Sequence, residues 1–170
     1  NGVTRYAVDA AKETVLGLRG ALLQVTGEDG KFWQTPNGFV PKQQVTDELG
    51  LDPAAVALGF VGTPYLWGGN SSSGIDCSGL VQAAYLACGL TCQGDSDLME
   101  ANLDGETPPN PSRNQLYFWK GHVAMTISET QLVHANANAM AVTIEGIEDA
   151  IQRIETAGDG PVTRRLQIPI

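Results

Sequence analysis

The stretch that decides the fold runs from residue 63 to residue 90 and reads TPYLWGGNSSSGIDCSGLVQAAYLACGL. It opens with a loop rich in glycine and serine at positions 68–74, and the pattern changes at Asp76. From there, apolar residues recur at spacings of three and four, as they do on one face of an α-helix. Asp76 is a typical N-cap residue and Gly89 a typical helix end, so we predict a helix that begins at Cys77.

The composition is that of a globular protein and excludes two classes of partner. The chain has 170 residues, a hydrophobic share of 42%, and 10 Lys and Arg against 19 Asp and Glu, so its formal net charge is −9. This acidic balance argues against nucleic acid as a partner, because phosphate binding needs a basic surface. No apolar run approaches the roughly 18 residues of a membrane-spanning helix, so we expect no membrane insertion.

The start of the chain does not indicate a cellular location. It begins at Asn1, without a methionine, a basic segment or an apolar segment of the kind found in signal peptides. A targeting segment has therefore been removed or never existed, and both the cell envelope and the cytoplasm stay open. The oligomeric state is equally open.

The second part of the chain alternates between strand and helix patterns around the predicted 77–88 helix. Short helical segments are predicted at 53–61, with Asp52 as cap, and at 95–103. Strands are predicted at 116–119, 122–127, 132–135 and 162–168, and an amphipathic helix at 147–157. A helix followed by a run of strands indicates an α+β fold in which the helix packs on an antiparallel sheet.

The first 45 residues have a different texture, that of a small β-structure. Strands are predicted at 21–26, 31–34 and 38–40, with a Gly-Glu-Asp-Gly turn at 27–30. Such short strands bury little by themselves, so they are expected to close into a small barrel or to pack on the second part of the chain. We therefore place the domain boundary between residues 45 and 46.

Cys77 is the first candidate for chemistry. In the first turn of a helix, the macrodipole and the unpaired backbone N–H groups favour an anion, which lowers a thiol pKa from its free value of about 8.5. A thiolate held this way is a nucleophile. The alternative is a small buried hydrophobic residue that lies near a helix start, and Cys77 alone supports both interpretations about equally.

The chain has two histidines, and they fall on strands that a hairpin would pair. If the turn is centred on Ser128, His122 and His134 face each other; if it is centred on Glu129, they are diagonal neighbours on one face. A loop with an even number of residues would send them to opposite faces. On one face with Cys77, they would supply what acyl transfer requires: a base, His122, and a group that orients it, His134.

Other interpretations of these residues compete with the catalytic one. Cys77, His122 and His134 are also ligand types for zinc, although a fourth ligand is missing nearby. Cys88 and Cys92 are expected to be structural thiols, and the acidic side chains at 145, 148, 149 and 155 to form a solvated helix face. The glycine loop lacks the Gly-Lys-Ser/Thr ending of a phosphate loop, so no cofactor is expected.

Three blocks of this sequence resemble the NlpC/p60 superfamily of papain-like cysteine peptidases: YLWGG…GIDCSGLV, GHVAMTI and LVHANA. The resemblance covers roughly residues 50–168. It implies a papain-like α+β fold at 46–170, with Cys77 as nucleophile, His122 as base and His134 as the group that orients it. The first 45 residues resemble the bacterial SH3-like module that often precedes this domain, which gives a small β-barrel at 1–45.

The resemblance also implies a substrate and its contacts. The substrate would be a peptidoglycan stem peptide or muropeptide, cut between γ-D-glutamate and a diamino acid such as diaminopimelate. Tyr65 would assist the oxyanion site or the substrate, and Asp76 and Ser78 would line the groove. From its residue type alone, Trp67 is expected in the core or in the groove wall, where it would contact substrate. The alternatives are an amidase or acyltransferase of the same fold, or a non-catalytic wall-binding module. Many relatives have Gly-Asp-Leu where this chain has Asn-Gln-Leu at 114–116, so a role for that acidic residue is absent here.

Overall fold

The structure is a computed structural model that describes residues 3–7, 14–18 and 23–167. The chain forms two compact units, Asn1–Leu49 and Gly50–Ile170. Among the described residues, no helix is both long enough and apolar enough to span a bilayer.

The described residues of the first unit form one antiparallel sheet of five short strands, in the order β2-β1-β5-β4-β3. The strands are β1 (Val3–Ala7), β2 (Thr14–Leu18), β3 (Gly27–Asp29), β4 (Phe32–Thr35) and β5 (Gly38–Pro41). The turn predicted at 27–30 is misplaced, because its first three residues belong to β3 and the chain reverses at Gly30, where φ is 52°. Of the strand predicted at 21–26, residues 23–26 are not in a strand, and 21 and 22 lie outside the described residues.

The second unit has the predicted mixed architecture of helices and an antiparallel sheet, with strand order β11-β10-β9-β8-β12. A separate two-stranded sheet pairs β6 with β7. In chain order the elements are α1 (Pro53–Leu58), β6 (Asn70–Ser71), β7 (Gly74–Ile75), α2 (Cys77–Ala87), α3 (Ser96–Asn102), β8 (Gln115–Trp119), β9 (His122–Thr126), β10 (Gln131–Asn136), β11 (Ala141–Gly146), α4 (Ile147–Ala157) and β12 (Arg164–Gln167).

The large sheet is covered on both faces, which fixes the position of α2. On one face, the apolar side of α2 packs in a core of fully buried residues that includes Phe118, Val123 and Met125. On the other face, α4 packs against Tyr117, Trp119 and neighbouring strands. Because β8 and β9 are buried on both faces of the sheet, they are apolar almost throughout, and the helix start that carries Cys77 is held against a rigid surface.

The Asn-Gln-Leu departure at 114–116 has a physical explanation. Asn114 lies in the left-handed region, with φ of 67°, which asparagine tolerates better than most non-glycine residues. Its Oδ1 accepts the Ala54 N–H at 2.8 Å, in the first turn of α1. Asp52 occupies the N-cap position but makes no capping hydrogen bond, and its carboxylate instead pairs with Arg113 at 2.7 Å. The side chain of Asn114 therefore satisfies a helix donor that the predicted cap does not.

Candidate active site

The start of α2 is built by Asp76, which the sequence predicts as its cap. Its Oδ1 accepts the Gly79 N–H at 2.7 Å, as an N-cap side chain does. Its Oδ2 accepts the Gly68 N–H at 2.7 Å and so fixes the glycine-rich loop to the same helix end. Gly89 follows the helix in the left-handed region at φ of 73°, which confirms the predicted end. Cys77 is thereby held in the first turn.

The thiol of Cys77 is more enclosed than the sequence predicts. Only 7% of the residue is exposed, and its Sγ lies 4.0 Å from the carbonyl oxygen of Gly121, the residue before His122. Burial raises the pKa of the Cys77 thiol, the nearby Asp76 carboxylate adds to this, and the backbone N–H groups of Val123 and Ser78 oppose it. The expected lowering of the thiol pKa is therefore wrong for the resting site, because burial outweighs the backbone dipoles.

The two histidines lie on one face of the sheet as diagonal neighbours. Strands β9 and β10 pair with Leu132 opposite Thr126 and Val133 opposite Met125, which centres the turn on Glu129. This register confirms the second of the three predicted geometries. It brings Nε2 of His122 to 3.0 Å from Nδ1 of His134, a good hydrogen-bond distance. Because Nε2 of His122 makes this hydrogen bond, Nδ1 is the ring nitrogen of His122 that is left for another partner.

Both imidazoles are held in their neutral form. His134 is fully buried, and His122 lies beside the ring of Trp119, with 5.7 Å between the ring centroids. Burial, together with the neighbouring His134 and Arg153, lowers the pKa of His122 to about 3 against the opposing effect of Glu145. Burial also lowers the pKa of His134 to about 4, against the opposing effect of Glu145. At neutral pH the site thus holds a thiol and two neutral rings.

These lowered pKa values predict that acid destabilises the fold. An unfolded histidine takes up its proton near pH 6.5 and the folded one does not, so the free energy of unfolding must fall as the pH drops below 6.5. For two such histidines the loss is about 2 kcal/mol between pH 6.5 and 5.5. Urea unfolding at a series of pH values measures it. Because the chain has only these two histidines, the free energy of unfolding of the double variant His122→Asn/His134→Asn should hardly change over this pH range. If it fell as steeply as that of the native protein, the lowered histidine pKa values would be contradicted.

One residue that contacts the histidine pair, Glu145, is misplaced in the sequence analysis. It lies on β11, a strand that the sequence pattern did not predict, and not on the solvated helix face to which it was assigned. Its Oε2 is 3.1 Å from Nε2 of His134. Arg153 of α4 binds both carboxylate oxygens, at 2.9 Å from Nε to Oε1 and 2.7 Å from Nη2 to Oε2. An unbroken series of polar contacts therefore runs from His122 through His134 and Glu145 to Arg153.

The four predicted substrate-contact residues differ in their exposure. Tyr65 is partly buried, and burial together with Cys77 and Asp76 raises the pKa of its phenol, so the hydroxyl remains a donor. Trp67 is 88% exposed, as a groove wall would be. Asp76 and Ser78 are buried, and the Ser78 hydroxyl lies 3.2 Å from Asp76 Oδ1 and 3.1 Å from the Gly94 carbonyl oxygen. Both serve the helix start, and contact with substrate stays a prediction for all four.

The remaining cysteines lie apart from this chemistry. All three thiols are free, and Cys88 and Cys92 are half-buried, with Cys92 packed against the core. Burial raises the pKa of Cys92 to about 11, so this thiol is un-ionised at neutral pH. Across the described residues, no three His, Cys, Asp or Glu side chains converge as metal ligands.

Comparisons with known proteins agree with this architecture. A solved structure described as an NlpC/P60 family protein from Bacillus cereus superposes over 98% of this chain and 61% of its own, with a TM-score of 0.73 and 22% sequence identity. At that identity the likeness is one of fold. It extends over almost the whole chain, including the strands and helices that surround Cys77, His122 and His134.

Two curated relatives are similar in sequence. One, from Lysinibacillus sphaericus, is named Dipeptidyl-peptidase 6 and is 37% identical over 94 residues, which are 55% of this chain and 35% of the relative. The other, from Bacillus cereus, is named Gamma-D-glutamyl-L-lysine dipeptidyl-peptidase and is 28% identical over 144 residues, which are 80% of this chain and 41% of the relative. This chain thus spans less than half the length of either. The sequence model of the NlpC/P60 family matches residues 62–158, more than half of the chain, and the chain belongs to that family.

Proposed function

We propose that this protein is a cysteine peptidase that cuts peptidoglycan stem peptides between γ-D-glutamate and a diamino acid. The observation that carries the proposal is a thiol in the first turn of a helix whose Sγ lies 4.0 Å from the carbonyl oxygen of Gly121, the residue directly before the first member of the hydrogen-bonded pair His122–His134. Nucleophile, base and orienting group are the parts of a catalytic triad. The names of the curated relatives support the substrate class.

The geometry supports a general-base mechanism that starts from neutral groups. As Sγ of Cys77 attacks the carbonyl carbon, its proton passes to Nδ1 of His122. Backbone N–H groups at the start of α2, aided by the Tyr65 hydroxyl, hold the oxyanion that forms. The C–N bond then breaks, and the His122 imidazolium gives its proton to the leaving amine, which leaves a thioester on Cys77. Water, deprotonated by His122, attacks the thioester, and the product carboxylate and the thiol are released.

The substrate contacts follow from the groups around the thiol. Trp67, almost fully exposed beside the glycine-rich loop, offers an apolar wall, and Asp76 and Ser78 shape the groove floor through their bonds to the loop and to Gly94. We further propose that the first unit is an SH3-like module. Its support is the antiparallel sheet of five short strands that the described residues of this unit form.

Mass spectrometry of defined muropeptides tests the proposal. Peptides containing L-alanine, γ-D-glutamate and either diaminopimelate or L-lysine are incubated with the native protein and with Cys77→Ala. We expect the native protein to release a product with a new amine terminus at the diamino acid and one added water, and the variant to release none. Absence of that product, or equal amounts from both proteins, would overturn the proposal.

A further inference from the structure

Glu145 lies where a hydrogen-bond acceptor can impose a direction on the two histidines. Arg153 has donors only and cannot be deprotonated in a protein, so the carboxylate that binds both its Nε and its Nη2 serves as acceptor. Arg153 also holds the pKa of the Glu145 carboxyl below its usual range, which keeps it ionised. The oxygen that faces Nε2 of His134 therefore carries no proton, and Nε2 must be the donor of that bond.

The direction of the hydrogen bond at Glu145 determines which nitrogen is protonated in both imidazole rings. A neutral imidazole carries one N–H, so a proton on Nε2 of His134 leaves its Nδ1 as an acceptor. That Nδ1 lies 3.0 Å from Nε2 of His122, which must then be a donor. In a neutral ring, Nδ1 of His122 is left with the lone pair. The reverse arrangement would put a proton on that nitrogen and would set two acceptors, Nε2 of His134 and the Glu145 carboxylate, against each other.

Few other charged groups around His134 could change which of its ring nitrogens carries the proton. Its ring is fully buried, and the charged or titratable groups that act on it are Glu145 from β11 and Arg153 from α4, with the ring of His122 from β9 beside it. The side chain of Glu145 is 22% exposed and that of Arg153 29%, so water reaches the far end of the series and not its middle. A solvent molecule is thus a poor substitute for the carboxylate at His134.

We propose that Glu145 is a positioning residue that fixes the tautomers of His134 and His122, so that Nδ1 of His122 is the unprotonated nitrogen presented for the Cys77 proton. The use of that lone pair rests on the proposed peptidase function, whereas the tautomers themselves do not. The ion pair with Arg153 keeps the carboxylate in place, and the acceptor at His134 is the part that matters.

Nitrogen NMR of ring-labelled histidine tests the tautomers directly. Spectra are recorded near neutral pH on the Cys77→Ala protein, where no thiol proton can move onto the ring. We expect Nδ1 of both histidines to be unprotonated and Nε2 to carry the proton. This measurement needs no change at Glu145, so it remains decisive if a variant there fails to fold. A protonated Nδ1 on His122 would overturn the proposal.

A matched pair of variants then separates the acceptor from the ion pair. Glu145→Met and Arg153→Met both break the ion pair with the same apolar replacement, and only the first removes the acceptor. We expect Glu145→Met to give mixed tautomers and, with Cys77 present, a loss in kcat of about 10- to 100-fold with little change in KM, since a wrong tautomer acts on the chemical step. Arg153→Met keeps the acceptor but removes the group that holds it ionised and in place, so we expect a smaller tautomer shift and a smaller loss in kcat than in Glu145→Met. Equal tautomer shifts in the two variants, or none in Glu145→Met, would overturn the assignment.

The outcomes also distinguish this proposal from the function on which it rests. If the tautomers follow Glu145 and no muropeptide is cut, the positioning role stands and the proposed function fails. If Cys77-dependent cleavage is found and Nδ1 of His122 is protonated, the function stands and the positioning role fails.

Discussion

The Cys77→Ser protein is expected to hydrolyse stem peptides at least about 10⁴-fold more slowly than the native protein. A serine hydroxyl is a far weaker acid than a thiol, and His122 is a weak base because burial lowers its pKa to about 3. The base that suffices to take a proton from sulfur during attack is therefore inadequate for oxygen. The measurement is kcat/KM on the peptide identified by mass spectrometry, at several pH values.

Two internal controls accompany this change. Cys88→Ser and Cys92→Ser carry the same substitution at half-buried positions away from the histidines. Each should retain activity within about 3-fold, with at most a modest loss of stability. Comparable activity losses in all three serine variants would mean that Cys77 is no special nucleophile, and residual activity above about 1% in Cys77→Ser would argue against a covalent intermediate on sulfur.

The Gly79→Ala protein is expected to be less stable by about 2–3 kcal/mol, although alanine normally stabilises a helix relative to glycine. A Cβ at this position would overlap the carbonyl oxygen of Gly69 and come within 3.1 Å of Asp76 Oδ1 and 3.3 Å of Asn70 Cα. That carbonyl cannot simply move, because it accepts the Asp76 N–H at 3.0 Å. The helix start must shift instead, and Cys77 shifts with it, so activity should fall along with stability.

Gly94→Ala supplies the matched control. A Cβ there would meet only the end of the Gln82 side chain, at 3.5 Å, which is an ordinary contact. We expect a stability change within about 0.5 kcal/mol. Urea unfolding of the two alanine variants beside the native protein gives the comparison. A Gly79→Ala protein as stable as Gly94→Ala would show that the close approach of α2 to the loop is relaxed in solution.

The elements with strong periodic patterns could be predicted from the sequence. Helix α2 begins at Cys77 and α4 spans 147–157 as predicted, because each has a clear apolar face and flanking residues that define its ends. Strands β8, β9 and β10 were found within one or two residues, because burial on both sides makes them continuous apolar runs. The juxtaposition of His122 and His134 followed from these strands and one choice of turn.

The parts that the sequence analysis missed depend on packing between distant segments. Strand β11 is at the sheet edge and buries only Val142, so it lacks the apolar alternation that identifies a strand. Without that strand, Glu145 could not be placed next to His134. The prediction of a lowered pKa for the Cys77 thiol was wrong for a similar reason. The helix dipole can be inferred from local sequence, whereas the burial of Cys77 beside β9 arises from a contact 44 residues away.

The protonated, enclosed state of Cys77 also bears on how the protein withstands oxidants. Peroxides and disulfides react with thiolates and much less with thiols, and an exposed thiolate advances readily to sulfenic acid and beyond. A cysteine that is 7% exposed and whose pKa is raised by burial presents little thiolate between turnovers. In the proposed mechanism the thiol gives its proton to His122 only during attack, so we expect Cys77 in the resting protein to react slowly with peroxides and disulfides.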